Sequence, residues 1–367
     1  MRIIILGSKG IPARYGGFET FAERIAKEFE VKGHSVLIIG DNSSETHQYS
    51  EKIRNYSINY QKSKNPLRFW HESIKHASRE RSDIILHCGV AGIFSHLFFP
   101  SLNNKTYINP DGLGFKRSKY GLAKKGFLLL QFVVCSIYAK NIIADSVGIQ
   151  SFFNKYLLRK RRVFVAEYGA DILNKSEEKN RIVKAYFQKL KIDISLGYLL
   201  VIARLEPENN LEEIISGYLN SMSSLPLIII GPKDTPFYKN KLFKYSSMNN
   251  IHFIGGVYDK ILLQSIRLYC HTFIHGHTVG GTNPSLVEAI GSGNLIIAHD
   301  NVFNREILKD FGKYFKNSKD LSSTINMVSA LDNHNPKNMK SLIDLHYSWT
   351  IIANKYLNIL TKNGKET

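Results

Sequence analysis

The sequence predicts an α/β protein with two successive domains, each built on a parallel sheet that helices cover on both faces. Short, continuously apolar segments alternate with segments of helical periodicity along the chain. This alternation pauses once, in a polar and charged stretch over residues 172–196, and then resumes. The 367 residues are enough for two domains of ordinary size.

The first half contains six apolar segments with strand character. A helix over Gly17–Lys32 follows the first of them, because Phe18, Phe21, Ile25 and Phe29 recur at helical spacing. The segments are apolar throughout, which is typical of parallel strands buried on both faces. They are MRIIILG, SVLIIG, DIILHC (83–88), TYINP (106–110), NIIADS (141–146) and RVFVAEYG (162–169).

The second half repeats the pattern after a helix expected over 183–190. We expect a first domain over 1–172, a second over 173–345, and a terminal segment over 346–367. That last segment contains an amphipathic helix (347–360), which we expect to pack back on the first domain. The five strands predicted here are GYLLVIAR (197–204), LPLIIIG (225–231), NIHFIGG (250–256), HTFIHG (271–276) and GNLIIAH (293–299).

Composition excludes two classes of protein. Hydrophobic residues make up 43% and charged residues 22%, so an intrinsically disordered chain is not expected. The three cysteines, Cys88, Cys135 and Cys270, lie far apart in apolar runs, which indicates buried free thiols and not a disulfide framework. Met1 leads directly into a strand, so we expect no signal peptide and a cytoplasmic protein.

The formal net charge of +18 favours a polyanionic partner. Between Phe115 and Arg162 there are eleven Lys and Arg residues and one acid, Asp145, with the cluster RKRR at 159–162. An uncharged run of 14 residues lies within it, over 126–139. A membrane span needs about 20 apolar residues, so this run is either a core helix or a helix on an anionic bilayer surface. We expect peripheral attachment to the inner face of the cytoplasmic membrane.

The stretch HGHTVGGTNPSLVEAIGSG (275–293) follows a predicted strand and begins a helix. Two glycines permit a tight turn, Thr282 or Asn283 can cap the helix, and Pro284 suits its first turn. The amides of such a helix start bind anions. Glu288, one turn further on, is positioned for a ribose hydroxyl pair; the alternative is a capped helix with a surface glutamate.

Arg204 ends the strand GYLLVI, at the edge of the sheet where ligands of parallel α/β folds bind. The planar guanidinium group donates several hydrogen bonds and suits a diphosphate. The alternative is a surface ion pair with Glu206 or Glu208.

These stretches carry a resemblance to a known family. The chain resembles family 4 glycosyltransferases of the GT-B fold, and within them the bacterial polysaccharide group typified by β-1,4-rhamnosyltransferases. The resemblance covers nearly the whole chain. Its motifs are GIPARYGGFET, INPDGLGFKRSKY, ADSVGI, YGAD, ARLEPENN, HGHTVGGTNPSLVEA and the terminal YSW.

The resemblance implies two Rossmann-like domains that face a central cleft. It also implies transfer of a sugar from a nucleotide diphosphate donor with retention at the anomeric carbon. The second domain would bind the donor and the first the acceptor. Arg204 and the helix start at 283–286 would stabilise the leaving diphosphate. No metal or other cofactor is expected, and the sequence has no D-x-D triplet.

Two positions depart from the wider family. The lysine that commonly follows the donor-loop arginine by five residues is Asn209 here. Of the two glutamates that commonly lie on the second motif, Glu288 matches the one that holds the nucleotide ribose. The other, which usually contacts the donor sugar, falls on Gly280.

Strand-end position and the resemblance together give three sets of site residues. The catalytic candidates are Arg204, Asp111 and His87. The donor-binding candidates are Gly16, Gly17, Arg204, Asn209, His275, His277, Gly281, Thr282, Asn283, Pro284, Ser285, Leu286 and Glu288. The acceptor-binding candidates are Arg14, Tyr15, Phe18, Glu19 and Asn109.

Several of these residues have an ordinary structural alternative. Glu19 can be a helix-start carboxylate that the dipole favours. Asp111 can belong to a Pro-Asp-Gly turn, and His87 can be a core histidine. His275 and His277 have the spacing of a metal pair, but no third ligand is near in sequence, which favours hydrogen bonding to the donor sugar or a loop.

The group's best-known chemistry suggests L-rhamnose from dTDP-rhamnose, passed to a polyprenyl-diphosphate-linked oligosaccharide in capsule or O-antigen synthesis. Another hexose from a UDP or GDP donor, a GT-B sugar-nucleotide epimerase, and a non-catalytic sugar-nucleotide-binding protein are alternatives. An NAD-dependent enzyme is disfavoured because Gly7, Gly10, Gly16 and Gly17 do not have G-x-G-x-x-G spacing. Nucleic acid is not expected as a partner, since no binding module is recognisable.

Overall fold

The computed structural model describes residues 1–13, 16–156, 162–329 and 336–362. The chain divides into two compact units. Unit 1 comprises Met1–Gly169 and Trp349–Thr367, and unit 2 comprises Ala170–Ser348. The predicted α/β class with two parallel sheets is confirmed. Sequence periodicity places the first division at 172/173, three residues beyond the division in the structure.

Unit 1 contains an eight-stranded sheet in the order β3-β4-β2-β1-β5-β6-β7-β8. Every described pairing is parallel except that of β3 with β4. The strands are β1 (Arg2–Leu6), β2 (Ser35–Gly40), β3 (His47–Gln48), β4 (Ile53–Ser57), β5 (Ile84–Cys88), β6 (Thr106–Asn109), β7 (Asn141–Ala144) and β8 (Arg162–Val165).

The central strands are buried on both faces, as their apolar sequences predict. Ile3, Ile4 and Ile5 of β1 are at most 2% exposed. β3 and β4 were not predicted. β3 has only two residues, and β4 (IRNYS) is an outer strand that mixes buried and exposed positions, so neither forms a continuous apolar run.

The helices of unit 1 lie between its strands, and the last returns from the end of the chain. Phe21 of α1 and Tyr356 of α13 pack with ring centroids 5.2 Å apart. Lys355 of α13 forms a 2.6 Å ion pair with Glu167. The helices are α1 (Gly17–Val31), α2 (Pro66–Arg79), α3 (Ile93–His96), α4 (Leu122–Tyr138), α5 (Val147–Tyr156) and α13 (Trp349–Lys362), with 3₁₀ turns at Pro100–Lys105 and Gly114–Lys116.

Unit 2 contains a six-stranded parallel sheet in the order β11-β10-β9-β12-β13-β14. The five predicted strands are present, and the three-residue β14 was not predicted. The strands are β9 (Leu199–Ile202), β10 (Leu227–Ile230), β11 (Ile251–Gly255), β12 (Thr272–His275), β13 (Leu295–His299) and β14 (Lys313–Phe315).

Seven helices of the described chain belong to unit 2. They are α6 (Glu177–Lys189), α7 (Leu211–Leu219), α8 (Lys260–Tyr269), α9 (Pro284–Gly291), α10 (Val302–Leu308), α11 (Ser318–Ser329) and α12 (Pro336–Leu342). Shorter turns lie at Pro207–Asn209, Tyr238–Leu242, Phe243–Ser247, Lys309–Phe311 and Ile343–Tyr347.

The three cysteines are free and buried, as predicted. Burial raises the pKa of each thiol to about 12, so none is a thiolate near neutral pH. None of the described helices is both long enough and apolar enough to cross a membrane.

Candidate active site

The start of α9 forms the centre of the candidate donor site in unit 2. Asn283 caps the helix, since its Oδ1 accepts the Ser285 amide at 3.0 Å, and Pro284 occupies the first turn. Ser285 Oγ donates to the carbonyl oxygen of Ile202 at 3.2 Å. This bond fixes the helix start to the end of β9. Leu286 is completely buried and anchors the same turn in the core.

Arg204 follows β9 directly and is exposed. Within the described residues it has no carboxylate at ion-pair distance, so the expected alternative pairing with Glu206 or Glu208 does not form. Its backbone carbonyl is held by the Asn209 side chain, whose Nδ2 donates at 2.7 Å. The guanidinium group therefore extends from a fixed loop and is available to an anion.

The loop after β9 is bound to the loop after β12. Asn209 Oδ1 and His277 Nδ1 lie 2.7 Å apart, and Thr278 donates to the Glu208 carbonyl from both its amide and its hydroxyl at 3.0 Å. A Cβ atom on Gly276 would lie 2.2 Å from the Asn209 carbonyl oxygen. Only glycine allows this approach, which explains the HGH sequence at this strand end.

Glu288 projects from the second turn of α9 and is about one-third exposed. Its Oε2 forms a 2.7 Å ion pair with Arg267 of α8, whose side chain is only 3% exposed. Arg267 was not among the predicted site residues. It lies within a helix whose apolar pattern gives no sign that a buried arginine faces α9.

His275 ends β12 and is buried. Burial, together with the neighbouring His277 and His299, lowers the pKa of His275 to about 3, so the ring is neutral. His277 bonds to a loop, one of the two partners expected for it. Across the described ranges, no group of three or more His, Cys, Asp and Glu side chains could hold a metal ion.

In unit 1, the loop after β1 is held by two carboxylates of α1. The Lys9 amide donates to Glu19 Oε1 at 2.8 Å, and the Ala13 amide donates to Glu23 Oε2 at 2.9 Å. Burial alone would raise the pKa of Glu23, but hydrogen bonds from Tyr49, the Ala13 amide and Lys27 outweigh it and lower the pKa. In a dinucleotide-binding fold the amides of this loop would bind phosphate, whereas here two of them donate to carboxylates.

Gly16 and Gly17 also belong to this unit, whereas the other donor-binding candidates belong to unit 2. Gly16 has φ 129°, and a Cβ there would lie 1.9 Å from Glu19 Oε2. Gly17 is the first residue of α1, and its carbonyl accepts the Tyr168 hydroxyl at 3.1 Å. Phe18 is half-buried beside Gly89.

A cavity of about 440 Å³ opens beside this loop, within the size range of small-molecule sites. Glu19, which is 7% exposed, lies on its wall. The wall carries carboxylates, hydroxyls, an ammonium group and an imidazole beside apolar atoms. Its residues are Lys9, Gly10, Ile11, Pro12, Glu19, Ser43, Ser44, Glu45 and His47.

His87 is buried at 1% exposure, which fits the core-histidine alternative better than direct contact with a substrate. Its Nδ1 lies 2.7 Å from Nε2 of His96, and its ring packs 4.7 Å from that of Trp70. Burial lowers the pKa of both histidines, to about 4 for His96. Both imidazole rings are therefore neutral, and a single hydrogen lies between His87 Nδ1 and His96 Nε2.

Asp111 is exposed and has φ 63°, the left-handed conformation of a turn residue. Its amide donates to Asn109 Oδ1 at 3.0 Å, and Asn109 Nδ2 donates to the Tyr356 hydroxyl at 3.3 Å. The backbone of Asp111 thus forms a turn, which was the structural alternative expected for this residue, and its carboxylate is exposed. Arg14 and Tyr15 lie outside the described residues, as do residues 159–161 of the basic cluster.

Lys62 is a polar group of unit 1 that sequence reasoning missed. Its ammonium donates to the Gly7 carbonyl and lies 5.5 Å from the centre of the Trp70 ring. Burial lowers its pKa, although Glu19, Cys88 and Asp111 oppose the shift. Lys62 lies in a polar stretch without helical or strand periodicity, so no sequence pattern indicated its contacts.

Two family models match consecutive parts of the chain. Residues 183–341 match the family described as glycosyl transferases group 1. The chain carries a group 1 glycosyltransferase domain. Residues 1–65 and 70–171 of this glycosyltransferase match a domain of unknown function, DUF1972. The predicted enzyme class, glycosyltransferase, is confirmed. Membership of the rhamnosyltransferase group stays a prediction. No curated protein sequence matches the chain.

Solved structures of low sequence identity share the fold of this glycosyltransferase, which confirms GT-B. Sucrose-phosphate synthase from Thermosynechococcus elongatus is 12% identical with a TM-score of 0.81, and each chain is covered at 100%. A Rickettsia africae glycosyltransferase is 17% identical at TM-score 0.73, with 100% of this chain and 99% of that chain covered. Anabaena HepE, solved in complex with UDP and glucose, is 15% identical at TM-score 0.74, with 99% and 100% covered.

Proposed function

We propose that this glycosyltransferase transfers a sugar from a nucleotide diphosphate donor bound in unit 2. One arrangement carries the proposal: the capped start of α9, tied to β9 through Ser285 and Ile202, with Arg204 at the end of the same strand and no carboxylate at ion-pair distance from it among the described residues. The positive end of a helix dipole and a guanidinium group both favour the binding of a diphosphate. Anabaena HepE has been solved with UDP and with UDP-glucose, which supports this donor class.

Each residue has a distinct proposed task. Negative charge grows on the diphosphate oxygen as its bond to the anomeric carbon breaks. Arg204 and the positive end of the α9 helix dipole stabilise that charge, since Pro284 has no N–H and the Asn283 side chain accepts the Ser285 amide. Glu288 accepts hydrogen bonds from both hydroxyls of a nucleotide ribose, or from the 3′-hydroxyl alone where the nucleotide is dTDP. The acceptor hydroxyl oxygen forms the new bond to the anomeric carbon on the face that the leaving group vacates, which retains the configuration, and its proton passes to the departing diphosphate oxygen. The reaction requires no metal.

The proposed donor sugar is L-rhamnose from dTDP-rhamnose, which rests on the resemblance of HGHTVGGTNPSLVEA to the rhamnosyltransferase group. The proposed acceptor is a polyprenyl-diphosphate-linked oligosaccharide of a cell-surface polysaccharide, such as a capsule or O-antigen. Transfer of another hexose from UDP or GDP is the second candidate, because HepE binds UDP-glucose and Gly280 stands where the sugar-contacting glutamate is usual.

Thermal stabilisation by ligands tests the donor proposal, since a ligand of the folded state raises Tm by mass action. The panel is dTDP-rhamnose, UDP-glucose, UDP-GlcNAc, GDP-mannose, GDP-fucose, NAD and NADP. We expect one nucleotide sugar to raise Tm in the wild type and to lose this effect in Glu288→Ala and Arg204→Ala. Glu178→Ala and Arg181→Ala, at exposed positions of α6, are the matched controls.

Stabilisation by NAD alone would overturn the transferase proposal. Release of free nucleotide from the stabilising donor then separates an enzyme from a non-catalytic binding protein. NMR of the glycoside product tests retention, because the one-bond carbon–proton coupling at the anomeric carbon distinguishes the two configurations, including those of rhamnose.

A further inference from the structure

Helix α4 leaves apolar side chains exposed that a core helix would cover. Its exposed side includes Leu122 at 88%, Leu130 at 50% and Phe127 at 48% exposure. Its buried side is mixed, with the polar residues Gln131 and Ser136 beside Phe132 and Cys135. An amphipathic helix of a globular protein normally turns its apolar side towards the core and its polar side towards solvent. The core-helix alternative for residues 126–139 is therefore only half right, since one side of the helix is covered and the apolar side is not.

The exposed apolar residues lie along one side of the helix, because their spacing follows the helical repeat. We call this surface the α4 face; it consists of Leu122, Phe127, Leu129, Leu130, Val133 and Ile137, each at least 38% exposed. The opposite side packs into unit 1 through Phe132 and Cys135. The face is thus held by a well-packed helix and is not a frayed end.

Basic residues lie at both ends of α4 and in the segment that precedes it. Across the described residues 115–156 there are seven Lys and Arg residues, and Asp145 is the only acid. Lys124 and Lys125 lie in the first turn of α4, and Lys140 follows its last residue. Lys124 and Lys140 are exposed.

We propose that the α4 face lies on an anionic bilayer, with its leucine, valine, isoleucine and phenylalanine side chains at the boundary between headgroups and acyl chains. Outward-facing apolar residues with cations at both ends of the helix match an anionic bilayer, in which the acyl chains are apolar and the headgroups are negatively charged. The helix has 17 residues and does not meet the requirements for a span, so it lies along the surface.

A second copy of the chain is the other occupant that an apolar face allows. A two-fold dimer through this face would bring the lysines of both copies together, with one acid each to offset them. The charge pattern therefore favours lipid. The inference rests on the proposed function in one respect: attachment through unit 1 would bring the enzyme to a lipid-linked acceptor.

Vesicle co-sedimentation of the full-length protein tests the inference without any nucleotide sugar, so its outcome is separate from that of the donor assay. We expect binding to phosphatidylcholine vesicles that contain phosphatidylglycerol, weaker binding in high salt, and little to phosphatidylcholine alone. Lys124→Glu with Lys125→Glu, and separately Leu130→Asn with Val133→Asn, should each lower the affinity at least about tenfold. Leu196→Asn, at an exposed leucine of unit 2, is the control.

A reporter tryptophan tests the orientation of the helix. Trp70 and Trp349 are the only tryptophans and are at most 4% exposed, which leaves little background for quenching. Leu130→Trp should be quenched by lipids brominated on their acyl chains, and Leu196→Trp should not. Binding without quenching of Leu130→Trp would overturn the inference. So would a wild-type dimer that Leu130→Asn makes monomeric and that does not bind vesicles.

Discussion

Arg267 and Glu288 form a 2.7 Å ion pair in which the arginine is buried and the glutamate is partly exposed. The pair joins α8 to α9 within unit 2 and fixes one carboxylate oxygen, Oε2. The other oxygen, Oε1, remains for a ligand. Burying an arginine is costly unless a partner is held close, so the glutamate has little freedom to turn away.

Arg267 is therefore expected to be a positioning residue for nucleotide binding. Arg267→Met should raise KM for the donor about tenfold with little change in kcat, because Glu288 is no longer held in place before binding. Arg267→Lys should recover part of the loss. Steady-state kinetics with the donor identified by thermal stabilisation provides the measurement.

Two further comparisons exclude a merely structural effect. In the Glu288→Ala background, Arg267→Met should have no additional effect on KM. The penalty should also be smaller for a donor with a 2′-deoxyribose than for the corresponding ribose donor, since Glu288 then has one hydroxyl fewer to hold. Arg267→Met could also raise KM by the same factor in the wild type, in Glu288→Ala and with the 2′-deoxyribose donor. That result would show that Arg267 acts only on stability and not through Glu288.

Gly276 allows the two loops of the donor site to touch. Its φ is not positive, so alanine is excluded by contacts and not by backbone conformation: the new Cβ would lie 2.2 Å from the Asn209 carbonyl oxygen and 2.8 Å from Ile214 Cδ1. Gly276→Ala should cost about 1–3 kcal/mol of stability and raise KM for the donor, because the loop carrying His277 must move. Gly121→Ala, where a Cβ would meet no atom within 4 Å, is the control for both the melting and the kinetic measurement.

The sequence predicted the main strands of both sheets because each is a continuous apolar run. It failed for β3, β4 and β14, which are short or lie at sheet edges, where apolar periodicity is weak. The cap at Asn283 and Pro284 was predictable because capping depends on local sequence. Arg267 and Lys62 were not, because contacts between α8 and α9, or between Lys62 and β1, depend on tertiary packing that no local pattern encodes.

Unit 1 is expected to lose stability as the pH falls below about 6.5. The pKa of His96 is about 4 in the folded state, lower than in the unfolded chain, so the unfolded chain binds more protons between these values. The stabilising contribution is complete above the unfolded pKa and is lost as the pH falls towards 4. At pH 5 the loss from His96 alone is about 2 kcal/mol.

Tryptophan fluorescence measures this loss in the correct unit, since both Trp70 and Trp349 belong to unit 1. Denaturant unfolding at pH 7.5 and pH 5 should show the difference, and His96→Gln should reduce it while the contribution of His87 remains. A wild-type stability that is independent of pH over this range would contradict the prediction.

Glu19 is expected to bind an acceptor hydroxyl in addition to bracing the loop after β1. Its carboxylate accepts the Lys9 amide and also lies on the wall of the 440 Å³ cavity, among serine hydroxyls suited to a polyhydroxylated ligand. Glu19→Gln keeps an oxygen for the Lys9 amide but removes the charge. It should raise KM for the acceptor about tenfold and leave acceptor-independent hydrolysis of the donor unchanged.

Glu23→Gln is a close control, because Glu23 lies one turn further along α1 and accepts the Ala13 amide, yet it does not line the cavity. Glutamine at either position keeps an oxygen for the amide that braces this loop, so any remaining effect on the loop would appear in both variants. A raised acceptor KM in Glu19→Gln alone would assign the carboxylate to acceptor binding. If the two variants behave alike, Glu19 acts through the loop only, because a brace needs the hydrogen bond that glutamine retains, whereas a strong bond to a sugar hydroxyl needs the charge.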